Sequence, residues 1–474
     1  MNFSSQELLS ATLQFNPWLT SGVVKPNVPV WKRRVFNEVL NWVEQPVQNR
    51  TLALGGARQV GKTTIFLQTI NALIEKGTPP GNIFYCTFDH PLFSLAGGID
   101  ACIRLWREIQ PRQEGPEYLF LDEIQSVPNW QVWIKHQADF NPERHIAITG
   151  SAAGLLMEKA ESGVGRIHTI PLPTLSFNEY LQLRQSAGKQ EPIPRLELPQ
   201  NWEELFDWSE TQFMTVSHVF EPLQGLFNEY LFRGGFPRNS LLNSIELVQQ
   251  LLREDILDKV LKRDMTSLYG VRRIQELETL FLYLCMHDGG ILDFPAVTEN
   301  LGITKKTVLN YLDLFQSTYL LRQIRTFGYG KQVLKSKIKT YLSDPAIASS
   351  VLVYGLSTQD NPEKMGKIVE SCCFKHLYDR YSPAGGVLSY WRGRNEKEVD
   401  FVLQTGDKLI PFEVKYRNQH TKNENLSGLL EFTKQNHLQR AVVFTKNMDD
   451  FRLETINDLT ILHLPAALGC YLLN

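Results

Sequence analysis

Cysteine is scarce and unpatterned: six in 474 residues, none in a C-x-x-C spacing and two of them adjacent (Cys372 and Cys373). That usage suggests neither a zinc site nor a disulfide framework, and it fits a reducing cytosol. Long apolar runs are missing too. The densest, Leu280 to Met286, is far too short to span a bilayer, and Met1 to Asn16 has no basic head followed by an apolar core. Neither sign of charge is in excess, with 49 Lys and Arg against 51 Asp and Glu for a net charge of −2. No global positive field therefore draws the chain to nucleic acid, and any such contact must come from local patches. These absences lead us to expect a cytoplasmic protein with no membrane partner. Apolar residues make up 43% of the chain, enough at this length for several domains with more than one core.

Against that background one segment carries chemistry. Thr51 to Leu54 is apolar and leads into Gly56-Ala-Arg-Gln-Val-Gly61-Lys62-Thr63, the pattern G-x-x-x-x-G-K-T, and a helical stretch follows from Thr64 to Leu73. A glycine turn between strand and helix can be no more than a turn. This one has the context of a phosphate-binding loop, in which backbone N–H groups of Gly56, Arg58, Gln59, Val60 and Gly61 face phosphates at a helix N-terminus. Lys62 then reaches the β/γ-phosphates, the Thr63 hydroxyl ligates Mg²⁺, and Thr64 completes the nucleotide-binding set. Downstream, Glu117 to Leu121 reads as a strand ending in Asp122-Glu123. Alone, such an acidic pair would be a helix cap or a solvated loop. Paired with the loop, it assigns Asp122 to the Mg²⁺ and Glu123 to the attacking water. The cofactors expected are thus ATP and Mg²⁺.

Strand-like and helical runs alternate from Thr51 to about Leu181, which predicts a parallel sheet covered on both faces with its ligand at the strands' carboxyl ends. Before it, residues up to Arg50 read as a polar tail and a helix from Trp31 to Val43, whose Lys32-Arg33-Arg34 start is taken as a solvated face. After it, Arg184 to Pro199 reads as an insertion or linker, and helical patterns run over Ser244 to Asp264 and Ile274 to His287. A short helix from Phe294 to Asn300, a Leu-Gly-Ile turn and a Thr304-capped helix to Phe315 form a helix-turn-helix pattern. Tyr319 to Ile324 and Lys339 to Leu342 would pair as a wing, with Lys331, Lys335, Lys337 and Lys339 at a basic tip. In the last segment, strand-like runs flank a hairpin at Thr405 to Lys408. Period-two alternation puts Glu413 and Lys415 on one face, with Asp400 on the preceding strand and Glu370 on the preceding helix. Carboxylates and a lysine so placed are the residue set of metal-assisted phosphodiester hydrolysis, although E-x-K is also common on exposed sheet faces.

With these motifs assembled, the chain resembles the prokaryotic AAA+ ATPases that carry a C-terminal domain of unknown function. The landmarks are Gly56 to Thr64, Leu121 to Gln125 with Trp130, Thr149-Gly-Ser151, Gly165-Arg166, Leu175 to Tyr180, Gly234-Gly-Phe-Pro237, Glu398-Val-Asp400 and Phe412 to Lys415. The resemblance implies an α/β fold: an AAA+ parallel-sheet P-loop core with strands in the order 5-1-4-3-2, a helical lid, a winged-helix domain and a restriction-endonuclease-like PD-(D/E)xK domain. It implies domain spans of 1–50, 51–183, 184–265, 266–345 and 346–474. It also makes Thr149 or Ser151 the sensor after strand four and Arg166 an arginine finger. The implied activity is that of an oligomeric, ring-forming ATP-driven switch or motor acting on DNA or a protein partner. An ATP-gated nuclease using Asp400, Glu413 and Lys415, or a non-catalytic DNA-binding regulator, are the alternatives.

Overall fold

The computed structural model describes residues 5–24, 28–95, 97–150, 166–193, 198–199, 201–328, 333, 336–417 and 426–474. The chain forms two compact units, Met1–Pro173 with Ser317–Tyr319, and Thr174–Gln316 with Leu320–Asn474.

The first unit is built on five strands: β1 (Thr51–Gly55), β2 (Ile83–Thr87), β3 (Glu117–Asp122), β4 (Arg144–Gly150) and β5 (Ile167–Pro171). All neighbours are parallel and the order is β2-β3-β4-β1-β5, as the resemblance implied. β1 and β3 are buried along their whole length because helices cover both faces, which explains their near-continuous apolar sequences. Phe84 stacks on Trp106 on one face and Phe66 meets Phe120 edge-on on the other.

The expected polar tail is ordered. A helix at Ser5–Phe15 and a turn of helix at Trp18–Ser21 bracket Asn16, whose side chain accepts from the Tyr85 amide at 2.7 Å and donates to the Tyr85 carbonyl at 2.9 Å. Trp18 Nε1 donates to the Ile83 carbonyl at 3.1 Å. Side chains thereby satisfy the open edge of β2, which would otherwise present unpaired backbone groups. The next helix starts at Phe36, not Trp31. Gln68 takes the carbonyls of Pro29 and Trp31, each at 2.7 Å, so the stretch before Phe36 is spent on tertiary bonds.

The second unit opens with helices, among them Phe177–Ser186, Leu223–Arg233, Ile245–Glu254, a π-helical turn at Asp255–Asp264, and Ile274–Met286. Neither glycine of the G-G-F-P run has room for a side chain: a Cβ at Gly234 would overlap Asp344 Oδ1 and one at Gly235 the Leu175 carbonyl oxygen, while the Gly235 amide donates to Asp344 Oδ2 at 2.9 Å. Two helices form where the pattern placed them, Phe294–Leu301 and Lys305–Ser317, joined through Gly302 at φ 65° and the second capped by Thr304. β6 (Leu321–Arg325) and β7 (Ile338–Leu342) pair antiparallel behind it. Lys331 and Lys335 lie outside the described residues. Lys339 is no basic tip, since it sits within β7 and is buried.

A six-stranded sheet completes this unit: β8 (Val387–Arg392), β9 (Glu398–Thr405), β10 (Lys408–Lys415), β11 (Arg440–Thr445), β12 (Arg452–Ile456) and β13 (Leu459–Pro465), in the order β12-β13-β11-β10-β9-β8. The β9–β10 hairpin turns between Thr405 and Lys408, where the sequence placed it. The 20-residue helix Pro362–Tyr381 packs on the sheet through Phe374, which lies against Phe401.

Candidate functional site

The carboxyl ends of β1, β3 and β4 bring the motif residues together. Gly61, at φ 98° and ψ 22°, lets the loop turn directly into the helix Lys62–Glu75, whose N-terminus follows it. Gly56 has a second reason to be glycine. A Cβ there would overlap the carbonyl oxygen of Leu172, whose amide in turn donates to the Gly55 carbonyl at 2.6 Å. The exit of β5 thus holds the loop from outside.

Lys62 is buried, and its Nζ donates to the Gly56 and Ala57 carbonyls at 3.0 Å each while lying 3.6 Å from Glu123 Oε1. Asp122, also buried, is surrounded by hydroxyls. Thr63 Oγ1 donates to its Oδ2 at 2.6 Å, Tyr85 OH donates to the same oxygen at 2.8 Å, and Thr149 Oγ1 donates to Oδ1. Burial pushes the Asp122 carboxyl above its ordinary range and the Glu123 charge adds to this, while the three hydroxyls pull the other way. Burial, then the neighbouring Asp122, lifts the Tyr85 phenol well above its usual value, which keeps it a donor. Glu123 leaves the strand in the left-handed region, φ 53° and ψ 46°, and is fixed at both ends: its amide donates to Thr149 Oγ1 at 3.0 Å and its Oε2 accepts from Gln125 Nε2.

Of the expected residues, Gly56, Gly61, Lys62, Thr63, Asp122, Glu123 and Thr149 therefore converge. Ser151 lies outside the described residues. Arg166 is half-buried and forms a two-pronged pair with Asp139, Nε to Oδ1 at 2.8 Å and a terminal nitrogen to Oδ2 at 3.2 Å. Three participants escaped the sequence reading. Arg33, taken as part of a solvated face, is buried and donates to the carbonyls of Val60 at 3.2 Å and Pro173 at 2.7 Å, bracing the phosphate loop. Tyr85 and Gln125 had no role assigned. A phenol inside an apolar, fully covered strand needs a partner for its hydroxyl, and that was the available signal for Tyr85.

The hard oxygens of Thr63 and Asp122, 2.6 Å apart, are the donor set that suits Mg²⁺ beside a phosphate, so these residues fit the implied ion.

In the second unit the carboxylates also converge. Glu413 pairs with Lys415, Glu413 Oε2 faces the Asp400 amide at 3.4 Å, and Asp400 Oδ2 accepts from the Val414 amide at 2.8 Å. Glu370 arrives from its helix, its Oε1 accepting from Tyr341 OH at 2.7 Å. Two further members were missed, Lys339 and Glu398, whose charged ends meet at 2.8 Å. Burial lifts Glu370 to about 7, with Lys339 opposing and Asp400 adding. Burial and then Asp400 lift Glu413 to about 8 against the pull of Lys415.

Cys372, His376 and Cys470 also cluster, with Cys372 Sγ 3.7 Å from His376 Nδ1 and 4.0 Å from Cys470 Sγ. Their ring nitrogens are taken, however. Nδ1 meets the Cys372 carbonyl at 2.8 Å and Nε2 accepts from the Phe177 amide at 2.9 Å, so His376 pins two helices together and has no lone pair left for a metal.

The first unit's parallel sheet, phosphate loop and acidic strand end define a P-loop nucleotide-binding protein. Residues 48–181 match the family model of an AAA domain, and two domains of unknown function match residues 224–373 (DUF8612) and 365–466 (DUF4143). The chain thus carries an AAA domain followed by two domains of unknown function. It is 24% identical over 400 residues to an uncharacterized protein of Haemophilus influenzae, covering 81% of this chain and 88% of that one. An uncharacterized protein of Methanocaldococcus jannaschii is 24% identical over 424 residues, covering 87% and 86%. Among solved structures, the Aeropyrum pernix Orc1 protein in complex with DNA is 12% identical, with a TM-score of 0.31 over 73% of this chain and 98% of that chain. C. elegans PCH-2 is 15% identical, with a TM-score of 0.30 over 49% and 65%. At these scores the class rests on the domain match and on the site itself. Among the described residues no helix is long and apolar enough to cross a membrane.

Proposed function

We propose that the chain is a Mg²⁺-dependent ATP hydrolase of the AAA+ type, working as an oligomeric ATP-driven switch or motor on DNA or a DNA-associated partner. The observation that carries this reading is the tie between the phosphate loop and the acidic strand end: Thr63 bonded to Asp122, and Lys62 facing Glu123 at 3.6 Å. Lys62 exchanges its two loop carbonyls for phosphate oxygens. Thr63 and Asp122 would hold the ion, whose contribution when bound would be to neutralise phosphate charge. Glu123, oriented by Gln125 and by the Thr149 hydroxyl at its amide, accepts a hydrogen bond from the attacking water and aligns it with the γ-phosphorus. Arg166, paired with an exposed-side aspartate, exchanges Asp139 for the γ-phosphate of a neighbouring subunit.

DNA contact is assigned to the helix-turn-helix, where Thr304, Lys305, Lys306 and Asn310 are exposed at the start of the second helix. Steady-state ATP hydrolysis by the wild-type chain, with Mg²⁺ or EDTA and with or without duplex DNA, tests the reading. Turnover that needs Mg²⁺, disappears in Lys62→Ala and rises with DNA only while Lys305 and Lys306 are intact is the expected result. ATP binding without turnover under any of these conditions would replace it with a nucleotide-gated regulator.

A further inference from the structure

The carboxylate cluster of the second unit already contains a cation. Lys339 enters from β7, is 3% exposed, and places its Nζ 3.0 Å from Glu370 Oε1, 2.8 Å from Glu398 Oε1 and 3.7 Å from Asp400 Oδ1. These are ammonium-to-carboxylate distances, and three donors meeting acceptors from one helix and one strand is what a lysine head can satisfy. A Mg²⁺ ion would instead demand oxygens at about 2.0–2.1 Å in an octahedron. The acceptors are also engaged elsewhere. Glu370 Oε1 accepts from Tyr341 OH at 2.7 Å, Asp400 Oδ2 from the Val414 amide at 2.8 Å, and the two oxygens of Glu413 face Lys415 and the Asp400 amide. All four oxygens of Asp400 and Glu413 therefore face a lysine or a backbone N–H.

We infer that Lys339 takes the place of the divalent cation that a PD-(D/E)xK carboxylate set would otherwise bind, making the C-terminal domain a metal-free, non-hydrolytic module. A metal ion entering this cluster would have to stand against a buried ammonium already held by three carboxylates, so the residues do not fit a catalytic metal. What Lys339 supplies is attachment. β7 follows the helix-turn-helix, and the three carboxylates fasten it to the Pro362–Tyr381 helix and to β9. A second fastening runs in parallel, from the Phe327 amide just past β6 to the Tyr390 carbonyl in β8 at 2.6 Å, with Tyr390 OH donating to the Lys337 carbonyl at 3.0 Å. The hairpin that follows the helix-turn-helix is thereby fastened to the sheet, and the carboxylates serve to hold it there.

The test is a Mn²⁺ titration of the nucleotide-free, EDTA-stripped full chain, with free Mn²⁺ read by electron paramagnetic resonance. Wild type and Asp400→Asn are expected to give superimposable isotherms, because no site in the wild type depends on Asp400. Lys339→Met, which keeps the stem and removes the charge, is expected to gain about one equivalent of saturable Mn²⁺, the carboxylates now being free to ligate it. Adding Asp400→Asn to that variant should remove the gain. Should Lys339→Met fail to fold, Lys339→Met/Glu398→Gln removes the cation together with one partner charge and leaves Glu370, Asp400 and Glu413 to ligate. A wild-type Mn²⁺ site abolished by Asp400→Asn would overturn the inference, as would a folded variant lacking Lys339 that gains no site.

Discussion

Replacing Arg33 by methionine tests whether the phosphate loop owes its shape to a residue outside its motif. Arg33 is 7% exposed and bonds the carbonyls of Val60, within the loop, and Pro173, beyond β5. A hydrogen bond from a charged donor contributes about 1.5–3 kcal/mol, and a buried acceptor left without its partner costs about 1–3 kcal/mol. The Val60 side is the one a nucleotide would feel, because that carbonyl shares its peptide with the Gly61 N–H of the loop. With about 1.4 kcal/mol for each factor of ten, loss of that single strut should weaken ATP binding by roughly tenfold or more. Equilibrium binding of a fluorescent ATP analogue measures it directly. Lys32→Met is the control, since the Lys32 ammonium is exposed and lies over the Phe36 ring at 4.2 Å, away from the loop. Wild-type affinity in a folded Arg33→Met chain would refute the strut and show that the glycines alone set the loop.

Two further outcomes follow from packing and burial. Gly56→Ala would drive a Cβ into the Leu172 carbonyl oxygen, a backbone atom that cannot rotate away, so thermal melts should show a loss of about 1–3 kcal/mol and ATP binding should fail with it. His376, fully enclosed, is held down to about 3 by burial and then by the Lys375 charge. Because its folded value lies below its unfolded one, the stability it allows is whole above about pH 6.5 and is lost as pH falls toward 3. The slope is at most about 1.4 kcal/mol per pH unit. Denaturation midpoints from pH 7 down to 4 check this, and His376→Asn should flatten the decline.

The core chemistry was legible because its residues are contiguous. The loop from Gly56 to Thr63 and the Leu121-Asp122-Glu123 strand end announce themselves within a few positions, and period-two alternation placed Glu413 and Lys415 on one face of a single strand, a short hairpin away from Asp400. What escaped depends on partners far along the chain. Arg33 reaches a carbonyl at Pro173, Tyr85 reaches Asp122, and Lys339 reaches Glu398, and no local spacing encodes such meetings. The charged residues misled in a consistent way. Arg33 and Lys339 looked like solvent-facing charge because lysine and arginine are usually exposed, and each is instead buried on acceptors that the tertiary fold supplies. β7 did offer a hint, since Ile338, Tyr341 and Leu342 leave little of that strand for water, but alternation alone cannot mark a strand covered on both faces.

The central claim is that Glu123 activates water at a site whose binding is done by other residues, and one paired measurement on Glu123→Gln tests it. Mg²⁺·ATP affinity and steady-state turnover are determined for this variant and for the wild type under identical conditions. Glutamine keeps the hydrogen bond with Gln125 within reach and removes only the carboxylate charge, so affinity should hold while turnover falls by about 10²-fold or more. Turnover at the wild-type rate with affinity intact would contradict the account, since the base would then lie elsewhere.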